Sequence, residues 1–168
     1  MSPTQDSIKI LLADDYPMAS EGLRMCLEAH DHIEVVGTMK SGREVLDNYK
    51  SLRPDIIIMD INMPEMDGLE TLERLNTIDP AMTVIILSMH SSREYVMRAV
   101  KNGAKGYLLK DVPLEDVIAA IEATYRGSTY FSSAASQLLF EDIGSTNAEL
   151  TKQEKRVLPL SQKGCRIN

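Results

Sequence analysis

Cysteine is scarce in this chain. Cys26 and Cys165 are the two cysteines, they lie far apart, and they offer neither a disulfide framework nor a zinc-ligand cluster. Long apolar runs are missing as well, with none near the roughly 20 residues that a membrane-spanning helix needs. The opening MSPTQDSIK lacks the basic and apolar regions of a secretory signal. Positive charge is short: the formal net charge is −7 at pH 7, which argues against a chain that grips nucleic acid over its whole surface. These absences leave a soluble, cytoplasmic protein with no membrane contact as the expectation. Cys26, within LRMCLEAH, reads as a small buried hydrophobe rather than a reactive thiol.

What is present is an ordinary globular composition, 43% hydrophobic and 26% charged over 168 residues. That is enough chain for one substantial domain and part of a second. Apolar runs rich in Ile and Val recur at 8–13, 33–37, 55–60, 83–88 and 106–110 and read as strands. The middle three are nearly continuous in apolar character, as parallel strands covered on both faces should be. Helical spacing separates them. Met18, Leu23, Met25, Cys26 and Leu27 cluster in 17–30, and Leu69, Leu72, Leu75 and Ile78 recur in 67–78. Tyr95, Val96, Ala99 and Val100 share a face in 92–102, closed by Asn102-Gly103. Pro113 opens a last helix carrying Leu114, Val117, Ile118 and Ile121. Five βα units predict a doubly wound α/β domain with a five-stranded parallel sheet over residues 1–126.

Residues 127–148 are small and polar around SQLLFEDI, which predicts a linker with a short helix. The charge changes sign after it: from Ala148 on, five basic residues (Lys152, Lys155, Arg156, Lys163, Arg166) face two acidic ones (Glu149, Glu154). An amphipathic helix begins there, with Thr151 as N-cap and Glu154 three residues on. Pro159 ends or kinks it.

In doubly wound sheets ligands bind outside the carboxyl ends of the strands. The polar residues at those ends are Asp14 and Asp15, Asp60, Ser88, and Lys110. Taken singly, each is most simply a solvated strand-end group. Five of them at the ends of four strands point to one site. Three carboxylates would repel one another unless a hard divalent cation such as Mg²⁺ relieved them. A carboxylate beside such a cation can attack phosphorus and form an aspartyl phosphate, with Lys110 and the metal neutralising the phosphoryl oxygens. Ser88 can hydrogen-bond the bound group.

The stretches ILLADDYP, DIIIMDINMPEMDGLE, VIILSMH and GAKGYLLKD together resemble the receiver domain of two-component response regulators, over residues 8–126. The resemblance implies a flavodoxin-like receiver fold and Asp60 as phosphoacceptor. It implies Mg²⁺ (or Mn²⁺) on Asp14, Asp15, Asp60 and the main-chain carbonyl of Asn62. It further implies Lys110 as the phosphoryl contact, Ser88 as the switch hydroxyl, and Tyr107 as the aromatic that turns inward on activation. Asp111 follows Lys110 where many receivers have proline. Asn62 and His90 stand where they could modulate access of the hydrolytic water. His30 and His32, in a helix-to-strand turn, read as structural, and Met59, Met63, Met66 and Met89 as core and loop fillers.

The wording GREVLDNYKSLRPDIIIMDINMPEMDGLETL is similar to the NarL/FixJ branch, and ELTKQEKRVLPLSQKG is similar to the opening of its LuxR-type helix-turn-helix domain. Residues 149–168 are therefore expected to be a truncated start of that domain, an incomplete helical segment without a recognition helix. Without that helix this chain is not expected to bind DNA specifically. The implied partners are a histidine kinase, a second copy on phosphorylation, and DNA in a full-length protein. The implied activity is not that of a conventional enzyme but self-catalysed phosphorylation and dephosphorylation that control transcription. Two rival readings stand beside it. A Mg²⁺-dependent phosphohydrolase would want a carboxylate, not Asn62, two residues after its nucleophile. A phosphorylation-independent binding module is the other alternative.

Overall fold

The computed structural model describes residues 6–140. The expected helix-turn-helix start at 149–168 lies outside them, as does the end of the expected linker. The described elements are β1 (Ile8–Ala13), α1 (Pro17–Glu28), β2 (Ile33–Met39), α2 (Gly42–Leu52), β3 (Ile56–Met59), α3 (Gly68–Ile78), β4 (Thr83–Ser88), α4 (Arg93–Lys101), β5 (Gly106–Leu109), α5 (Leu114–Tyr125) and β6 (Tyr130–Phe131). All strands pair in parallel, in the order β2-β1-β3-β4-β5-β6. The sheet therefore has six strands rather than five. The sixth is two residues long and falls inside the polar stretch RGSTYFSS, too short to carry any alternation.

The strands alternate between two cores, as a period of two requires. Leu11, Ala13, Ile57, Met59, Val84, Ile86, Tyr107 and Leu109 face one side, against Val45 and Tyr49 of α2, Leu69, Leu72 and Leu75 of α3, and Val96 and Ala99 of α4. Ile8, Ile10, Leu12, Ile56, Ile58, Ile85 and Leu108 face the other, against Leu27 of α1 and Val117, Ala120 and Ile121 of α5. Truncating a side chain such as Ile57, which is fully buried, would cost about 2–5 kcal/mol.

Local signals set the helix starts. Pro17 occupies the first turn of α1. The Ser41 hydroxyl accepts from the Glu44 N–H at α2, while the Glu44 carboxylate reaches back to the Lys40 N–H. Asp67 accepts from the Glu70 N–H at α3. Gly103, at φ +91, supplies the left-handed turn after α4.

Several expected faces differ. Cys26 is exposed, not buried. So are Met18, Met25, Ile78 and Met89, and Val100 is at the margin. In α1 the sheet takes Leu27, with Leu23 one turn earlier half-buried against the same core. Cys26 is turned about 100° from Leu27 around the helix and points away. Met59, Met63 and Met66 are buried as expected. His30 contacts the Cys26 carbonyl and His32 pairs with Glu122 at 3.0 Å, in keeping with structural roles.

Candidate functional site

The order of strands reverses between β1 and β3, and Asp14 and Asp60 are the first residues past those two strands. The sheet ladder runs on into the site. The Asp60 N–H donates to the Ala13 carbonyl (2.9 Å), the Asp14 N–H to the Met39 carbonyl (2.9 Å), and the Lys110 N–H to the Ser88 carbonyl (3.0 Å). The backbones of three site residues are thus fixed by the sheet and not by loops. A small crevice whose lining includes Asp14, Ser20, Leu23 and Asp60 opens here, at the switch point that α/β folds use for ligands. A larger cavity of about 480 Å³, lined by residues of α2 and α3, contains none of the site residues.

Oxygen atoms of Asp14, Asp15 and Asp60 lie within 4.8 Å of one another. Asp60 is 7% exposed, and its Oδ1 accepts from the Ile61 N–H at 2.7 Å. Its Oδ2 accepts from Lys110 Nζ at 3.0 Å, and the same ammonium donates to Asp14 Oδ2 at 2.8 Å. Asp14 Oδ1 takes the Tyr16 N–H at 2.9 Å. Asp15 is exposed. Burial pulls the Lys110 pKa down, but its hydrogen bonds and charge attraction to Asp14 and Asp60 outweigh that and leave it raised. Lys110 therefore stays charged. An all-oxygen cluster of carboxylates is a donor set for a hard cation; it can bind a metal.

Ser88 is fully buried, and its hydroxyl accepts from the His90 N–H at 3.1 Å. Tyr107 is fully buried too, facing inward, with its hydroxyl donating to the His90 carbonyl at 2.7 Å. Burial pushes the Tyr107 phenol up to about 12. The His90 ring reaches Asn62 Oδ1 with Nε2 at 2.9 Å, which requires the proton on Nε2. The ring also stacks on Tyr95 with centroids 4.1 Å apart and planes 15° from parallel. His90 thus connects the Ser88 strand end, β5, the loop after β3, and α4.

The structure brings Asp14, Asp15, Asp60 and Lys110 into one cluster, and Ser88, His90, Asn62 and Tyr107 into a second chain of contacts beside it. Sequence reasoning assigned Tyr95 to the core face of α4 and missed its stack on His90. No spacing signals that contact, since His90 lies in the loop after β4 and Tyr95 within α4. The described peptide bonds are all trans, Lys110–Asp111 included.

Residues 10–122 match the model of the response regulator receiver domain. The transcriptional regulatory protein MctR of Rhizobium johnstonii is 40% identical over 154 residues, covering 91% of this chain and 72% of that protein. The nitrate/nitrite response regulator protein NarL of Escherichia coli is 34% identical over 167 residues, covering 95% and 77%. Among solved structures, a two-component response regulator of the LuxR family from Aurantimonas sp. superposes with a TM-score of 0.78 at 29% identity, covering 82% of this chain and 98% of that one.

Proposed function

The chain belongs to the response regulator receiver family, of NarL/LuxR type, and from that premise we propose that Asp60 is its phosphoacceptor. A histidine kinase is the donor in this reading. An Asp60 carboxylate oxygen attacks the phosphorus of a phosphohistidine, an O–P bond forms, the P–N bond breaks, and the departing imidazole takes up a proton. Oδ2 is the attacking atom, because Oδ1 is committed to the Ile61 N–H. Lys110 moves from Asp60 Oδ2 to the incoming phosphoryl oxygens and stabilises their charge. Bound Mg²⁺ (or Mn²⁺), held by Asp14, Asp15, Asp60 and the Asn62 main-chain carbonyl, would supply further positive charge to those oxygens.

The observation that carries this reading is the convergence of three carboxylates and one ammonium at the switch point of the sheet. After transfer the Ser88 hydroxyl hydrogen-bonds the phosphoryl group, while Tyr107, expected to turn inward on activation, is already buried and inward in the unmodified chain and keeps that place behind it. Asn62 and His90, joined at 2.9 Å, regulate the approach of hydrolytic water and so the lifetime of the adduct. The protein is then a self-modifying cytoplasmic switch and not a conventional enzyme. In this reading residues 1–126 are the receiver, 127–148 a linker whose first part adds β6 to the receiver sheet, and 149–168 the start of a LuxR-type DNA-binding domain. Phosphorylation promotes dimerisation, and in a full-length protein the dimer binds DNA and controls transcription.

Intact mass after incubation with Mg²⁺ and acetyl phosphate tests the reading, alongside Asp60→Ala. One added phosphoryl group, dependent on Mg²⁺ and absent from the variant, is the expected result. No adduct with either acetyl phosphate or a histidine kinase would overturn it and leave a phosphorylation-independent binding module.

A further inference from the structure

The strand that carries Tyr107 is sewn to the segment that follows α5. The Tyr130 N–H donates to the Lys105 carbonyl (2.9 Å) and the Ser132 N–H to the carbonyl of Tyr107 itself (3.0 Å). Gly106 permits this approach: a Cβ there would lie 2.8 Å from the Tyr130 carbonyl oxygen. Ser132 then caps the helical residues 133–140, its hydroxyl accepting from the Ala135 N–H at 3.3 Å and its carbonyl from the Ser136 N–H at 2.8 Å. Ala135 is fully buried in the same core as Tyr107, and Phe131, Leu138 and Leu139 pack against that core.

From these contacts we propose that residues 130–140 are the output element of the receiver, a clasp on β5 whose seating is coupled to the Asp60 site through Tyr107 and His90. Tyr107 touches both ends of the path. Its hydroxyl holds the His90 carbonyl, whose own N–H is held by Ser88 (2.7 and 3.1 Å). Its main chain holds Ser132. A movement of Ser88 toward a modified Asp60 pulls on His90, releases or tightens the Tyr107 hydroxyl, and shifts the strand edge to which the clasp is bound. Two residues of strand and one helical face form an attachment weaker than the core strands, which suits an element with two states. The clasp also covers the β5 edge that would otherwise be open to a foreign strand. Residues 141–168 continue directly from it. The direction of signalling from Asp60 rests on the phosphorylation reading; the coupling of the clasp to Tyr107 and His90 does not.

Coupling is reciprocal, so it is tested from both ends. In the unmodified full chain, Ala135→Asp should unseat the clasp, raising amide exchange at Tyr130 and Ser132 by about tenfold or more and shifting the His90 amide resonance. Phe131→Ala, which removes only a half-buried side chain, should produce the same changes in weaker form and serves if Ala135→Asp does not fold. An unseated clasp with an unmoved His90 resonance refutes the coupling. In the second arm the wild type is treated with acetyl phosphate and the adduct is counted by mass. Changed protection of residues 130–140 in the modified protein supports the proposal, and unchanged protection in a fully modified sample refutes it. Absence of an adduct overturns the phosphoacceptor reading instead, while the first arm still decides the clasp.

Discussion

Gly68 offers a sharp test of how the loop after β3 fixes Asp60. It is the first residue of α3, its N–H donates to the Ile61 carbonyl at 2.8 Å, and a Cβ built on it would lie 2.1 Å from the Asp60 carbonyl oxygen and 2.8 Å from Ile61 Cα. Both neighbours are backbone, so no side chain can swing aside. An ordinary contact would need the two segments to part by about 1.4–1.9 Å, since packed heavy atoms sit about 3.5–4 Å apart, and a loop that yields part of this still shifts the carboxylate by about 1 Å. Asp60 is tied behind by its N–H bond to Ala13, so the strain falls on the loop and on the carboxylate. Overpacking of this kind costs about 1–3 kcal/mol. Weakening the Gly68 hydrogen bond adds about 1 kcal/mol, while alanine returns about 0.4–1 kcal/mol by restricting the unfolded chain. Gly68→Ala should therefore lose about 1–3.6 kcal/mol in urea unfolding. A displacement near 1 Å at the reacting group should also slow acetyl phosphate modification by about 100-fold. Gly22→Ala is the control, because nothing lies within 4 Å of its Cβ in the exposed part of α1. It should gain about 0.5–1 kcal/mol and react at the wild-type rate. A Gly68→Ala protein that unfolds at the wild-type midpoint and is modified at the wild-type rate would refute the argument.

Three further predictions follow from the same geometry. Lys110→Met removes the donor shared by Asp14 and Asp60 and should cost about 2–4 kcal/mol without divalent cation; millimolar Mg²⁺ should restore part of it, and equal losses with and without Mg²⁺ would count against a metal seat. The Tyr107 phenol is raised to about 12 in the fold, so its contribution is whole below pH 10 and falls away as pH climbs from about 10 to 12, by about 3 kcal/mol in all. Unfolding midpoints of wild type and Tyr107→Phe should converge across that window, and a constant gap between them would contradict the burial argument. Cys26 is exposed on α1, so in a Cys165→Ser background it should react with a thiol reagent without denaturant; a thiol that appears only on unfolding would mean that the helix face is covered.

Much of the fold could be read in the residues because two signals agree at each strand. Ile56, Ile57, Ile58 and Met59 are all buried, and a run apolar at every position has one physical solution here, a strand with helices on both faces. The site was legible for a related reason. An apolar run that ends abruptly in Asp14-Asp15 or Asp60 places a carboxylate at the strand end whatever the loop does next. Helix faces were harder. Met18, Met25 and Cys26 are apolar but exposed, and in a helix with several apolar residues the sequence does not say which of the overlapping stripes the sheet will take. The segment after α5 was hardest. Its seating depends on a glycine 24 positions before Tyr130, on one main-chain bond to Tyr107 and on the burial of Ala135, none of which has a local pattern.

The site also divides its rigidity in a way that bears on how it works. Asp14, Asp60 and the Lys110 backbone are held by the continuing sheet ladder, but the Lys110 ammonium reaches Asp14 and Asp60 on a flexible stem. One positive charge on that stem faces three negative ones, two of them at ladder-held positions and the third, Asp15, exposed. In the resting protein it offsets part of their repulsion and remains protonated because those partners raise its pKa. The deficit that remains is about what a divalent cation supplies, and the carboxylates need not move to receive it. An arginine in place of Lys110 would keep the charge but lock its planar fork on a carboxylate. Lysine, a compact ammonium with rotatable donors, can leave Asp60 for an incoming anion without taking the strand with it. Fixed carboxylates and a movable ammonium are what the proposed phosphoacceptor role of Asp60 asks for, since on that reading its charge is masked before the reaction and exposed during it.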